Sequence, residues 1–156
     1  MQPSMLTLDA FTVVGPVYRG HNQAGEIPAM WQNVYLPRMD EIRHVIDGDE
    51  SWGVFGNHQP DGSLTYMAGS RVEKAEDIPE GMQAWELKAQ TYAVFPCTLA
   101  QIGKTLAYIH QEWLPASGYL HAAAPELEYY GKAFLEAPDG VGQIELLIPV
   151  VPHDQT

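Results

Sequence analysis

Apolar positions along this chain change their period several times, and each change predicts an element. In "TLAQIGKTLAYIHQEWLP" (98–115), Leu99, Ile102, Leu106, Ile109 and Trp113 recur at three- and four-residue steps, the spacing of one buried helical face. Thr98 and Gln101 form a capping box at its start, and Pro115 and Gly118 are expected to close it. A second helical pattern, "EIPAMWQNVY" (26–35), puts Ile27, Trp31, Val34 and Tyr35 on one face with Pro28 in the first turn, and predicts an end at Pro37. Short β-rich runs ended by proline, "TVVGP" (12–16) and "YAVFP" (92–96), read as strands. Asp-Gly pairs at 61–62 and 139–140 each lie between two strand-like runs, "SWGVFGN" with "LTYMAGSRVE" and "ELEYYGKAF" with "GQIELLIPVV", and predict one hairpin in each half.

These elements come twice, in the same order. The proline-ended strands are offset by 80 residues (12 to 92) and the two "PDG" triplets by 78 (60 to 138). Each half reads strand–helix–strand–strand, with modules of approximately 6–83 and 84–151 inside a single domain spanning 1–156. A half of this size has little core of its own. Packing two side by side joins their sheets, buries the helical faces and leaves a groove between them, a common place for small ligands. Within "APELEYYGKAF" (124–134), read as a strand, Leu127 and Tyr129 share one face while Glu126, Glu128 and Tyr130 share the other. Alternation leaves two readings of the second face: solvent, or a polar-lined hollow.

Composition narrows the functions available. With 46% hydrophobic and 10% aromatic residues the chain is expected to fold. Twenty acidic side chains against eight basic ones give a net charge of −12, which repels phosphate backbones, argues against direct nucleic-acid binding and favours cationic partners. One cysteine, Cys97, fits a reducing compartment and a buried small hydrophobe. No run approaches the ~18 residues that would span a bilayer, and the N-terminus lacks the pattern of a secretory leader. A cytoplasmic protein with no membrane partner is the expectation. The six histidines show no paired metal spacing, "DGDE" (47–50) is too short for a calcium loop, and "GVFG" is not a phosphate cradle. Neither a metal nor a cofactor is therefore expected.

The order of "IPAMW", "WGVFGNHQPDGSLTYMAGSRVE", "YAVF", "WLPASGY" and "PELEYYGKAF…IELLIPV" resembles the GyrI-like small-molecule-binding family, which includes the effector-binding domains of AraC-type and MerR-type multidrug regulators. The likeness covers roughly residues 10–151. It implies an α+β fold of two strand–helix–strand–strand modules related by pseudo-two-fold symmetry, with an antiparallel sheet and two helices around a central cleft. It also implies that Glu128, between Leu127 and Tyr130, is a cleft carboxylate that attracts lipophilic cations. About ten residues precede the first strand, too few for a helix-turn-helix unit, so the expectation is a stand-alone member.

Aromatic residues supply the rest of the expected cleft. Trp31, within the family-like "IPAMW", is the first candidate for stacking on a ligand. Tyr66 is chosen over Met67, because neighbours on a strand face opposite ways. Phe55, Tyr92, Trp85, Trp113 and Tyr130 complete the ligand-binding set, although core packing accounts for several aromatics of any domain. The leading expectation is a binding protein for hydrophobic, cationic or planar aromatic small molecules. A second is a hydrolase opening strained electrophiles, with Glu128 as general base and Tyr130 or Tyr92 polarising the substrate. A third is a protein-interaction module such as a gyrase modulator, its partner unspecified by the sequence.

Overall fold

The computed structural model describes residues 2–137 and 142–153, the side chains of residues 57 and 58 excepted. Nine strands form one antiparallel sheet: β1 Ser4–Leu8, β2 Phe11–Gly20, β3 Ser51–His58, β4 Leu64–Val72, β5 Met82–Leu87, β6 Gln90–Thr98, β7 Tyr119–His121, β8 Leu127–Tyr130 and β9 Gln143–Pro152. Their spatial order is β1-β6-β9-β8-β3-β4-β2-β5, with β7 pairing on β9. That order reads the same from either end once β1, β2, β3 and β4 are exchanged with β5, β6, β8 and β9. The duplication seen in sequence is thus an approximate two-fold in space, and its centre is the β3–β8 pair, in which Ser51 faces Tyr130 and Gly53 faces Glu128.

Two long helices lie on one face of this sheet. The first spans residues 26–41 and the second 99–116. The capping box at the second helix is present, with the Thr98 backbone N–H donating to Gln101 Oε1 at 3.0 Å. Gly118, at φ 81, marks its end. Pro37 does not end the first helix as expected. Both helices widen into a π turn just before their Leu-Pro step, where Leu36 N–H reaches back five residues to the Trp31 carbonyl and Leu114 N–H to that of Ile109. A proline ring collides with the carbonyl four residues behind it in a regular α-helix. The wider turn accommodates the ring, so the helix runs on to Glu41.

A second departure lies in the C-terminal hairpin. Its first strand stops at Tyr130, and residues Lys132–Glu136 form a short helix whose first turn hydrogen-bonds to the Gly131 carbonyl from Phe134 and Leu135. The Asp139-Gly140 pair expected to turn this hairpin lies outside the described residues. The equivalent pair at Asp61-Gly62 does join β3 to β4, with Gly62 at φ 88.

Three apolar clusters fill the interior. Tyr35 of the first helix packs with Val14, Tyr66, Ala68 and Val72 beneath it, and Ile109 of the second with Phe95, Ile144, Leu146 and Ile148. The opposite face of the sheet carries its own cluster, combining Val13 and Leu87 from one wing with Tyr92 and Val94 from the other. Strands so far apart in the order meet only because the twisted sheet curls on itself. Close backbone approach supports that curl at Gly15, where any Cβ would overlap the Ala68 carbonyl oxygen of β4.

Candidate functional site

β8 alternates as its sequence predicts. Leu127 and Tyr129 belong to the cluster on the curled face, whereas Glu128 and Tyr130 point beneath the helices. Glu128 is 4% exposed. Two phenols meet its carboxylate: Tyr66 Oη donates at 2.5 Å and Tyr130 Oη at 3.0 Å, both to Oε1. Tyr66 Oη in turn accepts a bond from Trp31 Nε1 at 3.0 Å. Trp31 lies over Tyr130 with ring centroids 4.8 Å apart, and Phe55 meets Tyr66 edge-on at 5.0 Å. Glu128 is thus packed among four aromatic side chains, from the first helix, β3, β4 and β8, which form an aromatic chamber filled by the carboxylate itself.

Electrostatically the chamber is unusual. Among the described residues no lysine, arginine or histidine forms an ion pair with Glu128. Burial raises its carboxyl above the usual carboxylate range, and the Tyr66 and Tyr130 hydrogen bonds offset only part of that rise. The same burial, and the carboxylate charge beside them, push both phenols up. They therefore remain protonated donors at any ordinary pH.

Space for this constellation comes from Gly53. On the facing strand, an added Cβ would overlap both Tyr66 Oη and Glu128 Oε1. Trp31 is positioned from below by Tyr35, edge-on at 5.1 Å, whose hydroxyl is held between the Ser51 and Ser70 hydroxyls at 2.8 Å each. Sequence reasoning missed these residues. The available signal was a glycine inside a strand, which often marks close approach to something else.

Not every candidate joins the chamber. Tyr92 is 1% exposed within the curled-face cluster, where burial pushes its phenol up to about 12. Trp85 packs against the same cluster and bonds Gln83. Both lie across the sheet from Glu128. Trp113 packs on Phe95 at 5.1 Å and on Tyr119, under the second helix. The chamber assembles Trp31, Phe55, Tyr66, Glu128 and Tyr130 only.

Beside the chamber lies an open groove of about 730 Å³, and Phe55 is the wall they share. Leu106 and the turn 122–125 form its apolar sides, and His110, His121 and Glu126 its polar end. Glu126 Oε2 lies 2.8 Å from His110 Nε2 and 2.9 Å from His121 Nε2. Burial pushes the Glu126 carboxyl up, but the two histidines outweigh it and hold it low, while the bond to Glu126 raises the His121 imidazole. The sequence places Glu126 on the same strand face as Glu128 but carries no local sign of its contacts with these histidines. Among the described residues, the donor atoms of His44, Glu76 and Asp77 lie within 4.8 Å of one another, apart from the groove lining. No helix among the described residues is long and apolar enough to cross a membrane.

Comparison with known proteins gives a consistent picture. The family described as Cass2, integron-associated effector binding protein, matches residues 4–150. The transcriptional regulator BrlR of Pseudomonas aeruginosa is 33% identical over 152 residues, which cover 96% of this chain and 56% of that protein. The chain therefore spans little more than half the length of that relative. Among solved structures, the protein SAV2435 bound to tetraphenylphosphonium superposes with a TM-score of 0.75 at 20% identity, over 97% of this chain and 94% of that one. An integron cassette protein from the mobile metagenome of Vibrio cholerae superposes at 0.67 and 17% identity, over 97% of each chain. At such identities these structures bear on the fold.

Proposed function

The chain belongs to the family of integron-associated effector binding proteins, and from that footing we propose that it is a receptor for lipophilic cations and planar aromatic molecules, bound at Glu128. One observation carries the reading: a carboxylate buried among four aromatic rings with no ion pair among the described residues. A desolvated carboxylate without a counter-charge is unfavourable, and proteins ordinarily pair or avoid one. A cation arriving with its own apolar surface removes that cost. Its rings stack on Trp31 and Phe55 while its charge faces Glu128 across a medium of low dielectric. Both phenols converge on Oε1, which leaves Oε2 for the ligand.

Trp31 and Tyr130 pack against each other beside the carboxylate, so binding requires these rings to part. The Trp31–Tyr66 hydrogen bond and the ring contact with Tyr130 are the interactions exchanged for ligand contacts. Aromatic walls tolerate many outlines, which suits a receptor of broad specificity. That a structurally similar protein binds tetraphenylphosphonium supports the ligand class. The geometry also favours a receptor over a hydrolase, because of the two phenols expected to polarise a substrate Tyr130 is engaged in holding Glu128 and Tyr92 lies across the sheet.

The test is a matched pair of dyes, one cationic and one a neutral isostere, titrated against wild type and Glu128→Gln. Loss of a buried charge-to-charge contact predicts about tenfold or greater weakening for the cation alone. Equal loss for both dyes refutes the charge role. Turnover of a strained electrophile by wild type, abolished in the variant, replaces the receptor with the hydrolase.

A further inference from the structure

The polar end of the groove brings Glu126 together with His110 and His121. Glu126 precedes Glu128 by two residues on the same face, and its carbonyl accepts the Phe55 N–H at 3.0 Å, which continues the β3–β8 ladder. Two residues of extended chain place the backbone origins of the two carboxylates about 7 Å apart. One carboxylate lies within the chamber and the other opens on the groove, where its side chain is 18% exposed.

Hydrogen bonding reveals what Glu126 already holds. His121 Nδ1 lies 2.7 Å from the Ala122 carbonyl, which has no proton to give, so Nδ1 carries one. His121 Nε2 and His110 Nε2 both lie within hydrogen-bond distance of the same oxygen, Glu126 Oε2. The two histidines hold the Glu126 carboxyl low, and the bond to Glu126 raises the His121 imidazole, so the geometry favours a proton on Nε2 of His121 as well, the imidazolium form. In that form His121 is a cation of the protein's own held at Glu126, on a side chain 34% exposed, with the 42% exposed His110 beside it.

We propose that Glu126 is the subsite for a second positive group, and that the preferred ligands of this protein are flat aromatic dications whose charges are separated by about the spacing of the two strand positions. The inference rests on the receptor reading of Glu128 and specifies its ligand class. One positive group enters the chamber, the linking rings pass Phe55, and the other replaces His121 at Glu126. Because the ligand and the imidazolium compete for one carboxylate, the advantage of a dication grows as pH rises and the imidazole loses its proton. His110 from the second helix and His121 from β7 are the titratable groups facing Glu126 among the described residues, and His121 in turn faces both Glu126 and the stacked ring of His110, with centroids 5.9 Å apart.

Two rigid probes of nearly the same shape test this by calorimetry: 1,1′-dimethyl-4,4′-bipyridinium, a dication, and 1-methyl-4-phenylpyridinium, a monocation. At pH 8 the dication is expected to bind about tenfold tighter, the worth of one charge-assisted contact. Glu126→Gln should bring that ratio close to one. In wild type the ratio should shrink as pH falls, whereas His121→Gln should flatten its pH dependence, a readout that does not need the Glu126 variant to fold. A ratio near one in wild type at pH 8, or a tenfold ratio surviving in Glu126→Gln, overturns the subsite. Failure of the receptor reading looks different: the monocation would bind equally well to wild type and Glu128→Gln, and the subsite would fall with it.

Discussion

Replacing Glu128 by Gln should stabilise the empty protein at neutral pH while removing its affinity for cations. Gln keeps the shape and offers an oxygen where Oε1 accepts Tyr66 and Tyr130, so the two hydrogen bonds survive. What disappears is an ionised group buried without a counter-charge. Because burial raises the Glu128 carboxyl above its ordinary value of 4.5, the folded protein holds that proton more tightly than the unfolded chain does. The associated stability is therefore complete below the ordinary value and is lost as pH climbs through the raised one. At acid pH wild type and variant should match, since both then bury a neutral group. Above that window wild type should fall behind by about 1–2 kcal/mol, the excess cost of a buried charge over a neutral amide. For a domain of this size that is a difference of roughly 2–8 °C in Tm. Thermal unfolding of both proteins, without ligand, from pH 4 to pH 8.5 measures it. Parallel curves, or a variant that loses ground as pH rises, would refute the claim that Glu128 is an uncompensated charge.

Other expectations follow from the same geometry. Gly53→Ala forces a methyl against Tyr66 Oη and Glu128 Oε1 and should cost about 1–3 kcal/mol in urea unfolding, with loss of dye binding; a neutral result would mean the chamber has slack. Gly15→Ala meets the backbone of β4 rather than a side chain, so it should cost about 3 kcal/mol or more in the same assay, since a strand cannot rotate away. An aromatic cation should quench tryptophan fluorescence through Trp31, and Trp31→Phe should remove most of that quench. Persistence of the full signal would move the site toward Trp52, Trp85 or Trp113.

Much of this architecture was legible because helical and strand periods are local. The repeat of the proline-ended strands "TVVGP" and "YAVFP" and of "PDG" revealed the duplication, and alternation in "LEYY" put Glu128 and Tyr130 on one face. What escaped depends on partners distant in sequence. β1, in "SMLTL", shows no buried stripe because it is an edge strand, mostly exposed and defined by its pairing with β6. Trp85 and Tyr92 looked like cleft residues because no local pattern says that the sheet curls and buries its far face. Pro37 reads as a terminator because α-helical geometry forbids it there, and the π turn that admits it leaves no sequence sign. Glu126 was passed over since its significance lies in His110 and His121, contributed by the second helix and β7.

The duplication itself explains why one carboxylate can be left without a counter-charge. At the β3–β8 seam, Gly53 faces Glu128, so the first half supplies the space and the second half the charge. Either residue repeated in both halves would defeat the arrangement. Two glycines would leave a void, and two carboxylates at this separation would repel each other in a low dielectric. A lone carboxylate on the axis of a two-fold repeat therefore has to break the symmetry that places it there. The break is expected to be asymmetric in stability as well: the seam should be weakest on the Glu128 side until a cation binds. Hydrogen exchange can measure that directly. Amides of β8 should exchange faster than those of β3 in the empty protein, and slow selectively when a tight-binding cation is added. Equal protection of the two strands, unchanged by ligand, would show that the carboxylate imposes no local cost and that the asymmetry at the seam has no bearing on binding.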